Sequence, residues 1–344
     1  VVIAIVSIPG TVARGASIIS YEIVPVGDAG NSADANGYGS VANEYWIGRY
    51  PVTIGQYAAF LNAVAQTDTH DLYKDAMGSD ANVAGIQRTG TTGSYAYSVI
   101  GPAGTAFGQS AADRPITHVS WFDAARFANW MTNGQPTGPQ DAATTEGGAY
   151  TLNGVTSGNA PARNTGPGTD FFFYIPTENE WYKAGYYSPV KSGTTADYWA
   201  YATQSDTLPG NVVGLGGNQA NFNGGSGYSL TQSATFETTQ NYLTDVGAFT
   251  NSASYYGTFD QTGNVFEWND LDGAVGPQRG LRGGSWDSGS ADLSSTTRFA
   301  TSAGTLSELN GFRLMTPVPE PTAWLLAVAG VLACGAMRVI RRRA

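Results

Sequence analysis

Gly263-Asn264-Val265-Phe266-Glu267-Trp268 is followed by Gly280-Leu281-Arg282-Gly283-Gly284-Ser285-Trp286 and then by Gly311-Phe312-Arg313-Leu314. Bulky and small residues alternate through all three stretches, around single or paired glycines. This pattern predicts short strands whose backbones approach closely, because a glycine presents no Cβ to the neighbouring chain. It is the densest pattern in the chain, and it places the deciding structure in the last third.

Upstream, three helix starts are marked. Thr53 opens the first, with Tyr57, Phe60, Leu61 and Val64 at i, i+3, i+4, i+7 spacing. Ser120 opens the second, with Asp123 three residues on as a near capping box and Ala124, Phe127, Ala128 and Met131 on one face. Thr177 and Glu180 stand at capping-box spacing before Trp181 and Tyr182. Pro51, Pro115 and Pro176 sit shortly before these starts, where the chain is still extended and proline is tolerated.

Between the helices lie 89–108, 133–169 and 208–230, rich in Gly, Asn and Thr and without a helical period. They read as long surface loops or ragged hairpins with few apolar anchors. Gly134-Gln135-Pro136-Thr137-Gly138-Pro139 is a turn signal. No repeat recurs at a fixed period, and no linker splits the body, so residues 17–316 are expected to form one domain.

The composition narrows the function classes. A chain of 344 residues with 42% hydrophobic content can bury a sizeable core. Charged residues make up 13%, well below the usual figure of about a quarter, so the surface is polar more than charged. A net charge of −10 and a pI near 4.6 argue against a nucleic-acid partner, since phosphate binding needs clustered Lys and Arg. The single cysteine, Cys334, excludes a disulfide framework and lies in the tail.

That tail runs Val318-Pro319-Glu320-Pro321, then an apolar stretch over 323–337, then Arg338 and Arg341-Arg342-Arg343. About 15 apolar or small residues, roughly 18 if Arg338 snorkels, reach the lower edge of a membrane-spanning helix. The arginine cluster favours the cytoplasmic side, and the prolines keep the helix from running back into the domain. A buried C-terminal helix is the alternative. At the other end, the apolar run 1–8 precedes Ala13-Arg14-Gly15, a small-x-small pattern. Residues 1–16 are thus expected to be part of a signal peptide, with a buried first strand as the alternative. Both ends predict export.

Pro-Glu-Pro, a short apolar helix and terminal arginines together resemble the PEP-CTERM sorting signal of Gram-negative bacteria. The resemblance implies an exosortase-type partner acting near Pro319-Glu320-Pro321 and a transient membrane anchor. The body carries a second resemblance. Its motifs run in the order Tyr45-Trp46-Ile47-Gly48-Arg49-Tyr50-Pro51-Val52-Thr53, Pro115-Ile116-Thr117-His118-Val119-Ser120-Trp121 and Ile175-Pro176-Thr177-Glu178-Asn179-Glu180-Trp181, followed by the three stretches quoted first. That ordered set resembles the formylglycine-generating enzyme family, also called the sulfatase-modifying factor domain. The resemblance implies an α+β, loop-rich, C-type-lectin-like fold, here followed by a C-terminal transmembrane sorting helix.

Enzymes of that family oxidise a sulfatase cysteine to formylglycine with copper(I) held by two cysteines beyond the motif matching Arg282-Gly283-Gly284-Ser285-Trp286. Those positions are Ser288 and Leu293 in this chain. A serine hydroxyl is a poor ligand for a soft ion and leucine is none, so no copper and no catalytic residue are expected. Wider relatives hold iron through histidines. Only His70 and His118 exist here, without a carboxylate at facial-triad spacing, and His118 reads as a packed residue. Ser285 lacks the strand-turn-helix setting of a nucleophile elbow.

The resemblance further implies a structural calcium ion, held by backbone oxygens of Thr262, Gly263 and Val265 and the carboxylate of Glu267, with Asn221 resembling part of a second calcium site. It also implies a ligand-binding role for the segment 287–310, which displays changeable residues in variable proteins of the same fold. Asp287, Asp292, Arg298 and Glu308 are its candidate contacts here. The expectation is an exported, non-catalytic module binding an exopolysaccharide or envelope protein at the cell surface or in an extracellular matrix. An oxidoreductase or other enzyme with different chemistry in the same fold, and a purely structural matrix protein, are the alternatives.

Overall fold

The computed structural model describes residues 18–318 apart from 105–109, 167, 170, 171, 194 and 215. The predicted signal-peptide residues and the sorting-signal residues Pro319, Glu320, Pro321, Arg341, Arg342 and Arg343 lie outside the described residues. Among the described residues no helix is long and apolar enough to cross a membrane.

In chain order the elements are β1 (Ile23–Val26), β2 (Tyr45–Gly48), α1 (Ile54–Val64), α2 (Ala76–Ser79), β3 (Ile86–Thr89), β4 (Ala96–Val99), α3 (Trp121–Thr132) and α4 (Glu178–Tyr186). Then come β5 (Tyr187–Ser188), β6 (Asp197–Tyr198), β7 (Phe266–Asn269), β8 (Gln278–Arg282), a 3₁₀ turn (Ser290–Leu293), β9 (Phe299–Ser302), β10 (Asn310–Gly311) and β11 (Met315–Pro317). The result is a mixed α/β, loop-rich fold.

The three predicted helices, α1, α3 and α4, start where the sequence marks them; the single turn of α2 carries no such mark. Thr53, Ser120 and Thr177 each accept from the backbone N–H three residues on, and Gln56, Asp123 and Glu180 accept back from the cap N–H. Each cap is worth about 1 kcal/mol. α1 buries the predicted Tyr57, Phe60, Leu61 and Val64. Phe60 meets Phe127 of α3 at 5.3 Å between ring centroids, and Phe127 meets Phe312 at 5.5 Å. The first helix is thereby joined to the Gly-Phe-Arg motif.

Two expectations need correction. α3 does not bury one face: all twelve of its residues are buried. The reason lies in 133–169, which is a surface loop only in part: 153–159 are exposed, whereas 144–146, 149, 150 and 152 are buried. It folds back over the polar side of α3, where Asn129 donates to Thr145 and Tyr150 carbonyls, and Arg126 forks onto Glu146 at 2.7 and 2.9 Å. Ala149, Tyr150, Leu152 and Ala160 anchor this segment in the core. Its polar groups are satisfied by the helix, so its polarity is compatible with burial. By contrast, 89–108 does begin in the ragged hairpin expected, β3 pairing β4 from Ile86↔Val99 to Thr89↔Ala96.

The three deciding stretches meet in one sheet of order β10-β7-β8-β9, with β10 parallel to β7 and the other pairs antiparallel. The close approach predicted from the glycines is present. A Cβ on Gly280 would lie 2.1 Å from Asn269 Oδ1. One on Gly263, at φ +82, would lie 2.2 Å from the Asn221 carbonyl oxygen. A second sheet, β1-β2-β11, pairs strands from both ends of the domain with the same central strand.

Candidate functional site

Ser288 and Leu293 stand just past Trp286, and packing occupies both. The Ser288 hydroxyl accepts from the Ser285 N–H at 3.0 Å and lies 3.2 Å from the Ser285 hydroxyl. Leu293 ends the 3₁₀ turn, fully buried with Ala220 and Phe222, and its Cδ2 lies 2.5 Å from where a Gly284 Cβ would stand. A hydroxyl bonded to its neighbour and a buried isobutyl group do not fit a soft metal ion. The two histidines are engaged separately: His118 Nε2 lies 2.9 Å from Asp80, and His70 Nε2 lies 3.5 Å from Glu146. Burial pulls the His70 pKa below its ordinary value. Among the described residues no group of His, Cys, Asp or Glu is arranged to hold a metal ion.

Glu267 lies on β7 with no exposed surface. Arg313 grips it with Nε at 2.5 Å from one oxygen and Nη2 at 2.6 Å from the other, and the Trp181 indole N–H donates at 2.8 Å. The rest of the guanidinium donates to the Gly48 and Phe259 carbonyls. Calcium against this carboxylate would place a dication beside a buried guanidinium that already neutralises it, so the residues present do not fit the expected ion at Glu267. The other expected ligands do gather nearby. Asn221 pairs with Gly263 in a parallel bridge, the Gly263 carbonyl accepts from the Val265 N–H, and the Thr262 hydroxyl accepts from the Ala202 N–H. Asp260, which accepts from the Gly247 N–H at 2.7 Å, is pushed up to about 6. Burial is the main cause and the Glu267 charge adds to it, against the Gly247 bond and Arg313.

The four candidate contacts of 287–310 separate into two kinds. Arg298 is committed to Glu178, donating to its two oxygens at 2.8 Å each, and Arg282 adds a third bond at 2.7 Å to the same carboxylate. Asp287 and Glu308 are exposed and Asp292 is half-buried, and none of the three has a salt-bridge partner among the described residues.

The profile of the sulfatase-modifying factor enzyme 1-like domain matches residues 5–318. The chain belongs to this family. Among solved structures it is similar to variable protein 1 of Treponema denticola, at 19% identity and a TM-score of 0.46, covering 87% of this chain and 96% of that one. It is also similar to CarF (20% identity, TM-score 0.44, 87% and 99% covered) and to PvdO from Pseudomonas aeruginosa (15%, 0.43, 91% and 100%). No curated protein matches its sequence.

In this sulfatase-modifying factor domain, sequence reasoning missed one cluster beside Asp287. Trp286 lies against Tyr242 with centroids 4.9 Å apart and planes within 3°. Phe236 is nearly parallel to both, 5.7 Å from Tyr242 and 6.4 Å from Trp286. Tyr228 closes the group and donates its hydroxyl to Asp287 at 3.0 Å. Burial, with help from the Asp287 bond, pushes the Tyr228 hydroxyl up to about 12. Tyr242 and Trp286 are buried, whereas Phe236 is 47% exposed. Trp286 belongs to a legible motif, but Tyr228, Phe236 and Tyr242 follow no period in a polar stretch, so only their contacts reveal them.

Proposed function

We propose that this sulfatase-modifying factor domain is a non-catalytic binding module, exported and delivered to the cell surface or extracellular matrix by its C-terminal sorting signal. The observation that carries the reading is Leu293, an apolar side chain packed over Gly284 at one of the two positions where the family's enzymes hold copper. Ser288, hydrogen-bonded to Ser285, supports it at the other. Export rests on the sequence of the two termini, and the partners it implies are an exosortase-type protease and an exopolysaccharide or envelope-protein ligand.

The test is to offer the purified chain a cysteine-containing sulfatase-type peptide with copper(I) and dioxygen and follow the peptide mass. No conversion is expected, and an aldehyde product would overturn the reading. A parallel pull-down against the producing organism's own exopolysaccharide and envelope fractions is expected to retain one of them.

A further inference from the structure

Cations in this molecule are repeatedly paired with its own aromatic rings. Arg88 lies 4.6 Å from the Tyr73 centroid, Arg163 5.1 Å from Tyr174, and Arg279 4.6 Å from Trp121. The Phe236–Tyr242–Trp286 stack departs from this habit. Among the described residues no lysine or arginine lies over any of its rings. The carboxylates beside it, Asp287 and Glu237, have no basic partner there either.

The geometry is that of a small platform with a charged rim. Phe236 stays exposed although two parallel rings hold it from its own cluster. Tyr228 sets the spacing, since its ring meets Phe236 and its hydroxyl holds Asp287 Oδ1. The carboxylate therefore stands about one tyrosine away from the exposed ring, and Oδ2 makes no hydrogen bond to the described residues. Glu237 follows Phe236 directly and is exposed. Glu237 is held beside the stack by its backbone, whose N–H donates to the Tyr242 hydroxyl at 2.8 Å.

An aromatic face attracts the electropositive C–H face of a sugar and attracts a cation more strongly. The two unpaired carboxylates, on a chain of net charge −10, repel uronates and sulfated sugars. We propose that this face is a subsite for a pyranose bearing a protonated amino group, with the ring on Phe236 and the ammonium on Asp287 and Glu237. The proposal rests on the binding-module reading and names the class of its ligand.

Titration calorimetry on the full chain tests it with three probes: a glucosamine oligomer, the same oligomer fully N-acetylated, and hexalysine. The free-amine sugar is expected to bind roughly tenfold more tightly than the acetylated one, an advantage that shrinks with added salt. Phe236→Ala and Asp287→Asn are each expected to remove most of the binding, the first lowering the unfolding midpoint slightly because the ring leaves its stack on Tyr242 and Trp286, the second leaving it unchanged. Equal affinity for the two sugars would overturn the proposal, as would indifference to Phe236→Ala. Hexalysine binding as tightly, with the same two dependences, would overturn it in favour of a basic peptide. If Phe236→Ala leaves retention of the native matrix polymer intact, this subsite is wrong while the module reading stands. If the unaltered chain retains nothing, that reading itself fails.

Discussion

Glu267 and Asp287 come from neighbouring motifs and end in opposite circumstances. Glu267 has no exposed surface and receives three charge-assisted or indole hydrogen bonds, two of them from Arg313. Asp287 is exposed and receives one, from Tyr228. A carboxylate matched inside the protein is a structural part, because anything that binds it must first displace its partner. One left half-matched beside an exposed ring is where a ligand adds interactions without breaking any. The strands of the domain thus hold their charges for themselves, and the segment beyond Trp286 commits Arg298 to Glu178 but leaves Asp287 and Glu308 exposed.

The contrast can be broken most forcefully at the buried pair. Arg313→Ala should cost about 3–5 kcal/mol in denaturant unfolding, because it strands a buried carboxylate. A loss below about 1 kcal/mol would mean that the pair is solvated in solution. Gly263→Ala comes next, at roughly 2 kcal/mol, since the residue sits at φ +82 and its Cβ would collide with Asn221. Unfolding of the variant at the parent midpoint would show that the β7 approach loosens more readily than the distances imply.

A smaller effect is expected from Asp260, whose folded pKa of about 6 exceeds its ordinary 3.8. Its contribution to stability is complete below the lower value and is lost as pH rises through the higher, with a slope of at most ~1.4 kcal/mol per pH unit. Asp260→Asn should remove its share of the slope between about pH 4 and 6, leaving the share of Asp270, which burial also pushes up to about 6. The same slope in the variant would assign it to another group. Smallest of all, chelation of calcium should leave the unfolding midpoint where it is. A fall of several degrees that added calcium reverses would mean that an ion competes with Arg313 for Glu267, and the comparison above would need redrawing.

Much of the fold was legible because its signals are local. A capping box needs only the residues at Thr53 and Gln56, Ser120 and Asp123, or Thr177 and Glu180, and α1, α3 and α4 begin there. The glycine-flanked stretches announced close-packed strands, and they form one sheet. The insertion 133–169 misled in its buried part, 144–152, for a physical reason. Polar composition signals exposure only when the polar groups have water to bind, and here Asn129 and Arg126 of α3 take that place.

What the sequence determined by itself, then, was where the predicted elements start and which motifs form strands, because each depends on residues close in the chain. Tertiary structure alone decided which charges are spent and which are free. Arg313 reaches Glu267, and Arg282 and Arg298 reach Glu178, across long stretches of chain. Phe236 is drawn beside Trp286, and among the described residues no cation covers it. Charge pairing and ring stacking act through space over a few ångströms, and only the folded backbone sets those distances.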